Sequence, residues 1–199
     1  PIKQFLKSKN SWFEKFVLFT KNKKAKFKKK KIYLKNIEKK INLKFSNKQN
    51  FIEYSPLGLK YLKDICGIIN NNNGGLLIID YGYFDEKMKD TLQAIYKQKY
   101  SKVLENIGKS DITYNINFFF IKKLIKKFKE LNINFTSQKK FLTNLGINQR
   151  AEIISKNKSF SEKSDIFYRL KRLIDKKQMG DLFKVMLIKK TNNYFKIGF

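Results

Sequence analysis

The alternation of apolar and polar residues along this chain predicts a mixed α/β fold, and the pattern is clearest near its centre. Ser55 is suited to cap a helix and Pro56 to begin one. Apolar residues then recur on one helical face, at Leu62, Ile65, Cys66 and Ile69. The helix is expected to stop within residues 70–75, which are all Asn or Gly. A strand, Leu76–Asp80, follows at once. Its four consecutive apolar residues are typical of a strand covered on both faces in a parallel sheet.

The second half of the chain repeats the order of helix then strand, as doubly wound α/β proteins do. A helix is predicted over Phe118–Leu131, with apolar residues on one side and lysines on the other. Such a helix can lie on a membrane or a phosphate backbone, but the strand-like segment Ile133–Thr136 follows directly, which favours packing on a sheet. The remaining predicted elements are helices over Lys139–Leu145, Asn148–Ser155 and Ser161–Asp175 and a final strand over Phe183–Lys189.

Near the start of the chain, two strand-like runs flank the densest cluster of charge. The runs are Trp12–Phe19 and Lys31–Leu34, and the lysine-rich segment between them covers residues 21–31. This arrangement predicts a β-hairpin insertion within residues 11–50 that carries a basic loop at 21–31. Like-charge blocks of this kind are usually solvated and mobile, although the loop could also act as an electrostatic tether to RNA or anionic lipid.

The net charge of +29, from 45 Lys+Arg against 16 Asp+Glu, suggests a second class of function. A basic RNA- or ribosome-associated binding protein without catalysis is the alternative interpretation. The arginines number only three, at Arg150, Arg169 and Arg172, whereas base-edge and bidentate phosphate contacts favour the guanidinium group. An AT-rich coding sequence would produce the same excess of Lys, Asn, Ile and Phe. Non-specific attraction of polyanions at low salt is expected in either case.

Cysteine and histidine usage narrows the candidate chemistry. Cys66 is the single cysteine and histidine is absent, which excludes a disulfide framework, a Cys/His metal cluster and a His-containing triad within this sequence. No metal site is therefore expected. Cys66 lies on the apolar face of the predicted helix, where core packing is the expected role. No apolar run approaches membrane-spanning length, and the hydrophobic content of 42% is sufficient for a core.

Several short motifs occur in an order that resembles one protein family. The central motif is Gly74–Gly82, GGLLIIDYG, and it is followed by Asp90–Ala94, DTLQA, and by Gly108–Thr113, which leads into the second helix. Further segments are 1–5, Trp12–Glu14, Ile52–Pro56, Gln138–Arg150 and Met179–Val185. In order and spacing the set resembles the MidA family of S-adenosylmethionine-dependent methyltransferases over nearly the whole chain. The ordered set, rather than any single motif, carries this resemblance.

The resemblance implies a Rossmann-like class I methyltransferase fold, of which residues 1–199 would form the carboxyl-terminal portion of a single domain with a mostly parallel, doubly wound sheet. In the family, a glycine-rich loop after the first strand and an acidic residue after the second hold S-adenosylmethionine, and both would precede residue 1. The sequence contains no Gly-x-Gly, and Gly74-Gly75 precedes a strand rather than a helix. The first residue is Pro rather than Met. The cofactor is therefore expected to bind mainly to an amino-terminal half outside this sequence, with no cofactor-binding residue within it.

The resemblance also implies a substrate. Mitochondrial members of the family methylate protein arginine and assist assembly of respiratory complex I, so the expected partner is a protein substrate such as a complex I subunit. The chain alone is expected to be inactive. Residue usage and resemblance together imply the cytoplasm of a bacterium with an AT-rich genome, or a mitochondrion in a eukaryote.

Asp80 and Tyr81, at the end of the predicted strand, are the candidate catalytic residues. A carboxylate can accept two parallel hydrogen bonds from a substrate guanidinium and help localise its lone pair for attack on a methyl sulfonium. Asp80 could equally cap a neighbouring turn. Gly82, Asp111 and Thr113 are candidates for the substrate rim, while Asp111 and Thr113 could instead cap the second helix.

Two positions depart from the family pattern. Asn117 stands where the family usually has Asp, and Tyr83 where it often has His, so no acid-base role is transferred to either. Asn117 remains a good helix cap. Asp90, Thr91 and Gln93 are expected to line a loop beside the Leu76–Asp80 strand, with no role assigned.

Overall fold

The structure is a computed structural model that describes residues 2–22 and 24–199. Pro1, in the first motif of the resemblance, and Lys23, in the basic segment, lie outside the described residues. The chain divides into two compact units. The first contains Pro1–Lys63 and Phe84–Leu124, and the second contains Asp64–Tyr83 and Ile125–Phe199.

Strands and helices alternate along the chain, as the sequence predicts for a mixed α/β fold. In chain order the elements are β1 (Lys3–Ser8), β2 (Ser11–Phe19), β3 (Ala25–Ile32), α1 (Leu34–Ile41), β4 (Phe51–Tyr54), α2 (Pro56–Asn71), β5 (Gly75–Tyr83), β6 (Gln93–Tyr96), β7 (Lys99–Ser101), β8 (Asp111–Thr113), β9 (Ile116–Asn117), α3 (Phe118–Ile125), β10 (Leu131–Ser137), α4 (Gln138–Asn144), α5 (Ile147–Ser155), α6 (Phe160–Ile174), α7 (Met179–Leu182) and β11 (Phe183–Lys190).

The first unit contains two antiparallel sheets. The larger has the strand order β3-β2-β1-β4, and the smaller has the order β7-β6-β8. Beneath the larger sheet lies an aromatic core in which Tyr54 of β4 is central. Its ring centroid is 6.1 Å from that of Phe5, 6.0 Å from Phe45 and 6.0 Å from Phe120, and all four residues are buried. This cluster holds the start of α3 against β1 and β4.

In the second unit, β11 lies between β10 and β5 and is antiparallel to both. Strands β5 and β10 consequently run parallel to each other. The four consecutive apolar residues of β5 predicted a parallel partner strand and burial of both faces of β5. The partner strand β11 is instead antiparallel, and one face of β5 is exposed. Leu77 and Ile79 are 46% and 47% exposed, while Leu76 and Ile78 on the other face are partly buried. Four consecutive apolar residues indicate that both faces of a strand can be buried, but they do not determine whether its partner strand is parallel or antiparallel.

The predicted helix after Ser55 is confirmed. The Ser55 hydroxyl oxygen accepts a hydrogen bond from the Gly58 N–H at 3.0 Å, and α2 begins at Pro56. The buried stripe differs slightly from the prediction, because Leu59 joins it and Ile65 is exposed. Cys66 is fully buried, as predicted, and burial raises the pKa of its thiol to about 11.

Two predicted elements have different bounds. The helix expected to reach Leu131 ends at Ile125, since Leu131 is the first residue of β10 and pairs with Lys190. The helical spacing of apolar residues continues to Leu131 because Leu131, the first residue of β10, is also buried. In the hairpin, the basic residues from Lys26 to Lys31 lie in β3 rather than in a loop, because β2 ends at Phe19 and β3 already begins at Ala25. A strand can carry this much charge because both faces of β3 are largely solvated.

In the part of the chain described by the structure, no helix combines the length and the apolar character that a bilayer crossing requires.

Candidate functional site

A buried carboxylate, Glu53 of β4, organises the first unit. It is 5% exposed, and its oxygens accept hydrogen bonds from the Thr91 hydroxyl at 2.5 Å and from the Gln4 side-chain amide at 2.5 Å. The Thr91 backbone N–H donates to it as well, at 3.3 Å. Gln4 is in position because β1 and β4 pair with Gln4 directly opposite Glu53. A buried charge is tolerated when several donors replace the lost water, and this carboxylate has three.

The same amide connects Glu53 to a second carboxylate. Gln4 Nε2 also donates to Asp90 Oδ1 at 2.8 Å, and Lys15 Nζ lies 3.6 Å from Asp90 Oδ2. The Asp90 side chain is 49% exposed, so this end of the group reaches solvent. We call Gln4, Lys15, Glu53, Asp90 and Thr91 the carboxylate cluster. It combines a buried carboxylate, Glu53, with a solvent-accessible carboxylate, Asp90.

The surroundings of Glu53 shift its carboxyl toward the protonated form relative to an exposed glutamate. Burial raises the pKa of the Glu53 carboxyl, and the hydrogen bonds from Thr91 and Gln4 offset part of that rise. The negative charge of Asp90 acts in the same direction as burial. Glu53 is therefore suited to hold Gln4 and Thr91 in place, while Asp90 is the carboxylate that a cationic ligand could reach.

The cluster unites three segments that carry the family resemblance, namely residues 1–5, Ile52–Pro56 and Asp90–Ala94. The sequence left Asp90, Thr91 and Gln93 without a role and did not single out Glu53. One signal was available, since Glu53 lies between apolar Ile52 and Tyr54 in a short strand. The oxygen of Thr91 also accepts the backbone N–H of Asn115 at 2.8 Å, which ties in the segment before α3.

Asp80 and Tyr81 lie within β5, three and two residues before its end, rather than at the end of a strand. Their side chains point to opposite faces of the sheet, because successive residues alternate in a strand. Asp80 is partly buried, lies opposite Lys184 of β11, and accepts the Tyr81 backbone N–H at 2.7 Å. The Tyr81 ring packs 4.2 Å from the ring of Phe183. The two side chains therefore do not lie side by side on one face of the sheet.

The candidates for the substrate rim occupy different settings. Asp111 and Thr113 lie in β8, where Thr113 is opposite Gln93 and its oxygen accepts the Gln93 amide at 3.0 Å. Neither residue caps α3, which is a correction to the helix-cap alternative. Asn117 performs that role, since its side-chain oxygen accepts the Phe120 N–H at 2.9 Å. Asp111 is exposed and Gly82 is buried.

Helices that follow strands are the usual place for a nucleotide, because their first N–H groups bind phosphate or carboxylate. Among the described residues, α1, α2, α3 and α4 follow strands. Side chains cap α2, α3 and α4, at Ser55, Asn117 and Ser137, whereas Tyr33 makes no side-chain cap bond before α1. These junctions lack the glycine turn that lets a backbone approach a cofactor closely. The described residues also contain no group of three or more acidic or thiol side chains that could hold a metal ion. These four junctions do not by themselves fit a nucleotide cofactor.

Comparison with known proteins identifies the family. The sequence model of the family described as "Putative S-adenosyl-L-methionine-dependent methyltransferase" matches residues 1–136. The chain belongs to this methyltransferase family. The matched region includes the whole carboxylate cluster and β5, so both candidate sites lie in the part of the chain that defines membership.

Curated relatives point in the same direction. The chain is 25% identical over 185 residues to the protein arginine methyltransferase NDUFAF7, mitochondrial, of Xenopus tropicalis, covering 92% of this chain and 43% of the relative. The corresponding protein of Danio rerio is 22% identical, with 96% and 45% covered. The Caenorhabditis elegans homolog is 29% identical over 152 residues. The chain thus spans less than half the length of these relatives.

Solved structures support the fold. The chain aligns over its full length with a crystal structure from Burkholderia thailandensis that contains S-adenosyl-homocysteine, with a TM-score of 0.80 and 19% identity, covering 52% of that chain. A second structure from the same organism gives a TM-score of 0.79 at 19% identity and is covered to 54%. The mixed α/β arrangement of this chain is therefore one found in a methyltransferase-like structure.

Proposed function

We propose that this chain forms the carboxyl-terminal part of an S-adenosylmethionine-dependent protein arginine methyltransferase. Family membership carries the proposal, and the names of the curated relatives supply the substrate class. Since the chain covers less than half of the curated relatives and about half of the solved structures, the cofactor is bound mainly by residues outside these 199, as the absence of a glycine turn at the described strand–helix junctions also suggests. Methylation by the complete protein is favoured over RNA binding without catalysis because the family match includes both candidate sites.

The exposed face of β5 supports the fold that we propose for the complete protein. Leu77, Ile79 and Tyr81 are alternate residues of one strand, and all are exposed. An apolar strand face of this kind normally packs against another element. Mixed sheets in doubly wound proteins often carry an antiparallel strand near one edge of an otherwise parallel sheet, as β11 would. The rest of a mostly parallel, Rossmann-like sheet and its covering helices would then come from the other part of the protein.

Asp80 remains the proposed group for orienting the substrate guanidinium. Its carboxylate is partly buried and held by the Tyr81 N–H at 2.7 Å, and a carboxylate retains acceptor capacity after one such bond. Tyr81 contributes through its backbone, while its ring packs on Phe183. S-adenosylmethionine would supply the methyl group. Orientation of the arginine nitrogen toward it requires no histidine or metal.

The accessible acids of the first unit extend the proposal to the protein substrate. Asp90 and Asp111 are exposed and can attract the cationic segment around a target arginine. Thr113 is engaged by Gln93 and contributes to the shape of this surface. The family resemblance further suggests a respiratory complex I subunit as the substrate. If the source organism is a eukaryote, the names of the relatives suggest that the complete protein is mitochondrial.

The test uses the protein that contains this chain together with the part that the relatives share beyond it. The purified protein is incubated with methyl-labelled S-adenosylmethionine and a lysate of its own source, and labelled sites are mapped by mass spectrometry. Methylated arginine that depends on the protein supports the proposal. Label on other residue types would contradict the substrate class, and absence of label together with tight RNA binding would favour the alternative function.

A further inference from the structure

The β2–β3 hairpin continues beyond the rest of its sheet. Strand β1 pairs with β2 as far as Lys15, whereas β3 pairs with β2 as far as Phe19. Residues 16–19 and their partners 25–28 therefore form a two-stranded extension, which we call the ribbon. A two-stranded ribbon has no core beneath it, so side chains on both faces meet solvent. The ribbon is an ordered feature, because the Thr20 N–H donates to the Lys24 carbonyl at 2.9 Å and the Lys24 N–H donates to the Thr20 hydroxyl oxygen at 3.2 Å.

The ribbon exposes several large apolar side chains, although nothing in its own sheet covers them. They are Phe16, Val17, Leu18, Phe19 and Phe27, each between 39% and 62% exposed. Phe19, next to the turn, is the most exposed of the five. Apolar residues on both faces near one turn cannot all be covered by a sheet that ends at Lys15. They form a compact apolar end that only a group outside this sheet can cover: another part of the complete protein, another molecule or a lipid phase.

Lysines surround this apolar end without acidic partners in the ribbon. Strand β3 carries Lys26 and then Lys28–Lys31, and Lys15 Nζ lies 4.3 Å from the ring centroid of Phe27. Lys28–Lys31 are three to six positions beyond Ala25, so they lie roughly 10–20 Å along the strand from the turn. The ribbon thus has an apolar end and a basic flank at the spacing of a bilayer interface, where apolar groups enter about 5–10 Å and lysines reach the headgroups.

We propose that the ribbon docks on an anionic lipid bilayer, with Leu18 and Phe19 entering the interface and Lys26 and Lys28–Lys31 contacting acidic headgroups. Charge complementarity selects this occupant. A single-stranded nucleic acid would also attract the lysines and could stack on the exposed phenylalanines, but the aliphatic Val17 and Leu18 beside them favour a lipid phase. Lysine rather than arginine on β3 also fits headgroup attraction better than bidentate phosphate recognition. The inference is independent of methyl transfer.

The test measures binding of the protein that contains this chain, together with the part that its relatives share beyond it, to vesicles of phosphatidylglycerol in phosphatidylcholine and to vesicles of phosphatidylcholine alone. Binding to the acidic vesicles is expected, and the double variant Leu18→Ser, Phe19→Ser should weaken it by roughly tenfold or more, since two apolar side chains no longer enter the interface. The double variant Lys28→Gln, Lys30→Gln should weaken it by roughly thirtyfold. Leu18, Phe19 and Lys28 lie beyond the β1 pairing, and Lys30 is an exposed residue of the edge strand β3, so folding should be retained.

The control removes the same charge elsewhere. Lys171→Gln, Lys176→Gln alters two exposed lysines of the second unit and should change vesicle binding by less than about twofold. Equal losses in the two lysine variants would show that net charge alone drives binding, and the proposal would be wrong. It would also be overturned if the Leu18, Phe19 variant bound vesicles normally, or if it lost affinity for an RNA oligonucleotide instead.

Discussion

The hydroxyl of Thr91 donates a hydrogen bond to the buried carboxylate of Glu53 at 2.5 Å, across 38 positions of sequence. The same oxygen of Thr91 accepts the Asn115 N–H at 2.8 Å. One side chain thus joins β4, the segment before β6 and the segment before α3. Thr91 and Glu53 belong to motifs by which the chain resembles its family. Their hydrogen bond brings the two motifs into direct contact in the fold.

Replacement of Thr91 by Val should destabilise the chain by about 2 kcal/mol, since it leaves a buried carboxylate and a backbone N–H without this partner. Thr91→Ser is the matched control, because it keeps the hydroxyl and removes only a methyl group, with a loss below about 1 kcal/mol. Urea unfolding of the chain compares the two. Equal losses would mean that the methyl packing, rather than the hydrogen bonds, matters at this position.

The stability of the chain should also show the raised pKa of Glu53. In the folded state the pKa of the Glu53 carboxyl lies above its ordinary value of 4.5. The contribution of Glu53 to the free energy of unfolding, measured against Glu53→Gln, should therefore be fully present below about pH 4.5. It should decrease as the pH rises through the folded pKa. Denaturant unfolding at a series of pH values measures the difference between the two proteins.

Glu162 provides a control of opposite sign. The backbone N–H and hydroxyl of Ser159 and the ammonium of Lys158 lower the pKa of Glu162 to about 2. The contribution of Glu162 relative to Glu162→Gln should therefore be fully present above about pH 4.5 and be lost as the pH falls toward 2. If both variants gave the same slope, the assigned burial of Glu53 would be incorrect.

Two glycines should respond to alanine in opposite ways. A Cβ on Gly180 would lie 2.6 Å from the Ile174 carbonyl carbon and 2.8 Å from the Asp175 oxygen, which are backbone atoms. Gly180→Ala should therefore cost about 2 kcal/mol or more. Gly67, inside α2, has open space at the same position, so Gly67→Ala should stabilise by about 0.5–1 kcal/mol. Thermal unfolding distinguishes the signs, and a neutral Gly180→Ala would show that the α6–α7 approach is looser than described.

For Asp80, the prediction concerns the complete enzyme. Asp80→Asn should lower kcat by roughly two orders of magnitude with little change in donor binding, because the interaction with the guanidinium strengthens in the transition state. Tyr81→Phe keeps the backbone N–H and the ring contact with Phe183, so it should retain kcat within about twofold. Unchanged turnover of Asp80→Asn would assign this carboxylate a structural role.

Local sequence signals predicted local structure well. The cap at Ser55 with Pro56 after it located the start of α2, and the spacing of Leu62, Cys66 and Ile69 gave three of its buried positions. The final strand was predicted to within one residue of β11. These features depend on neighbours within one or two turns, where the sequence contains the required information.

The carboxylate cluster could not be predicted in this way. Gln4 and Glu53 are 49 positions apart and Gln4 and Asp90 are 86 apart, so only strand pairing brings them together. The lysines of β3 were predicted to lie in a loop because runs of like charge are usually solvated. A strand whose two faces are both solvated can carry the same run of lysines, so the sequence could not distinguish the two. The opposite faces of Asp80 and Tyr81 follow from the strand period, once β5 extends past both residues.

We propose that this chain is one part of a methyltransferase whose cofactor is held mainly elsewhere in the protein. The decisive measurement is calorimetric titration with S-adenosylmethionine of the 199-residue chain and of a protein that adds the remaining part shared with its relatives. We expect no measurable binding by the chain alone and stoichiometric binding by the longer protein. Tight binding by the chain alone would contradict the assigned place of the cofactor, and a longer protein that fails to bind would contradict the methyltransferase function itself.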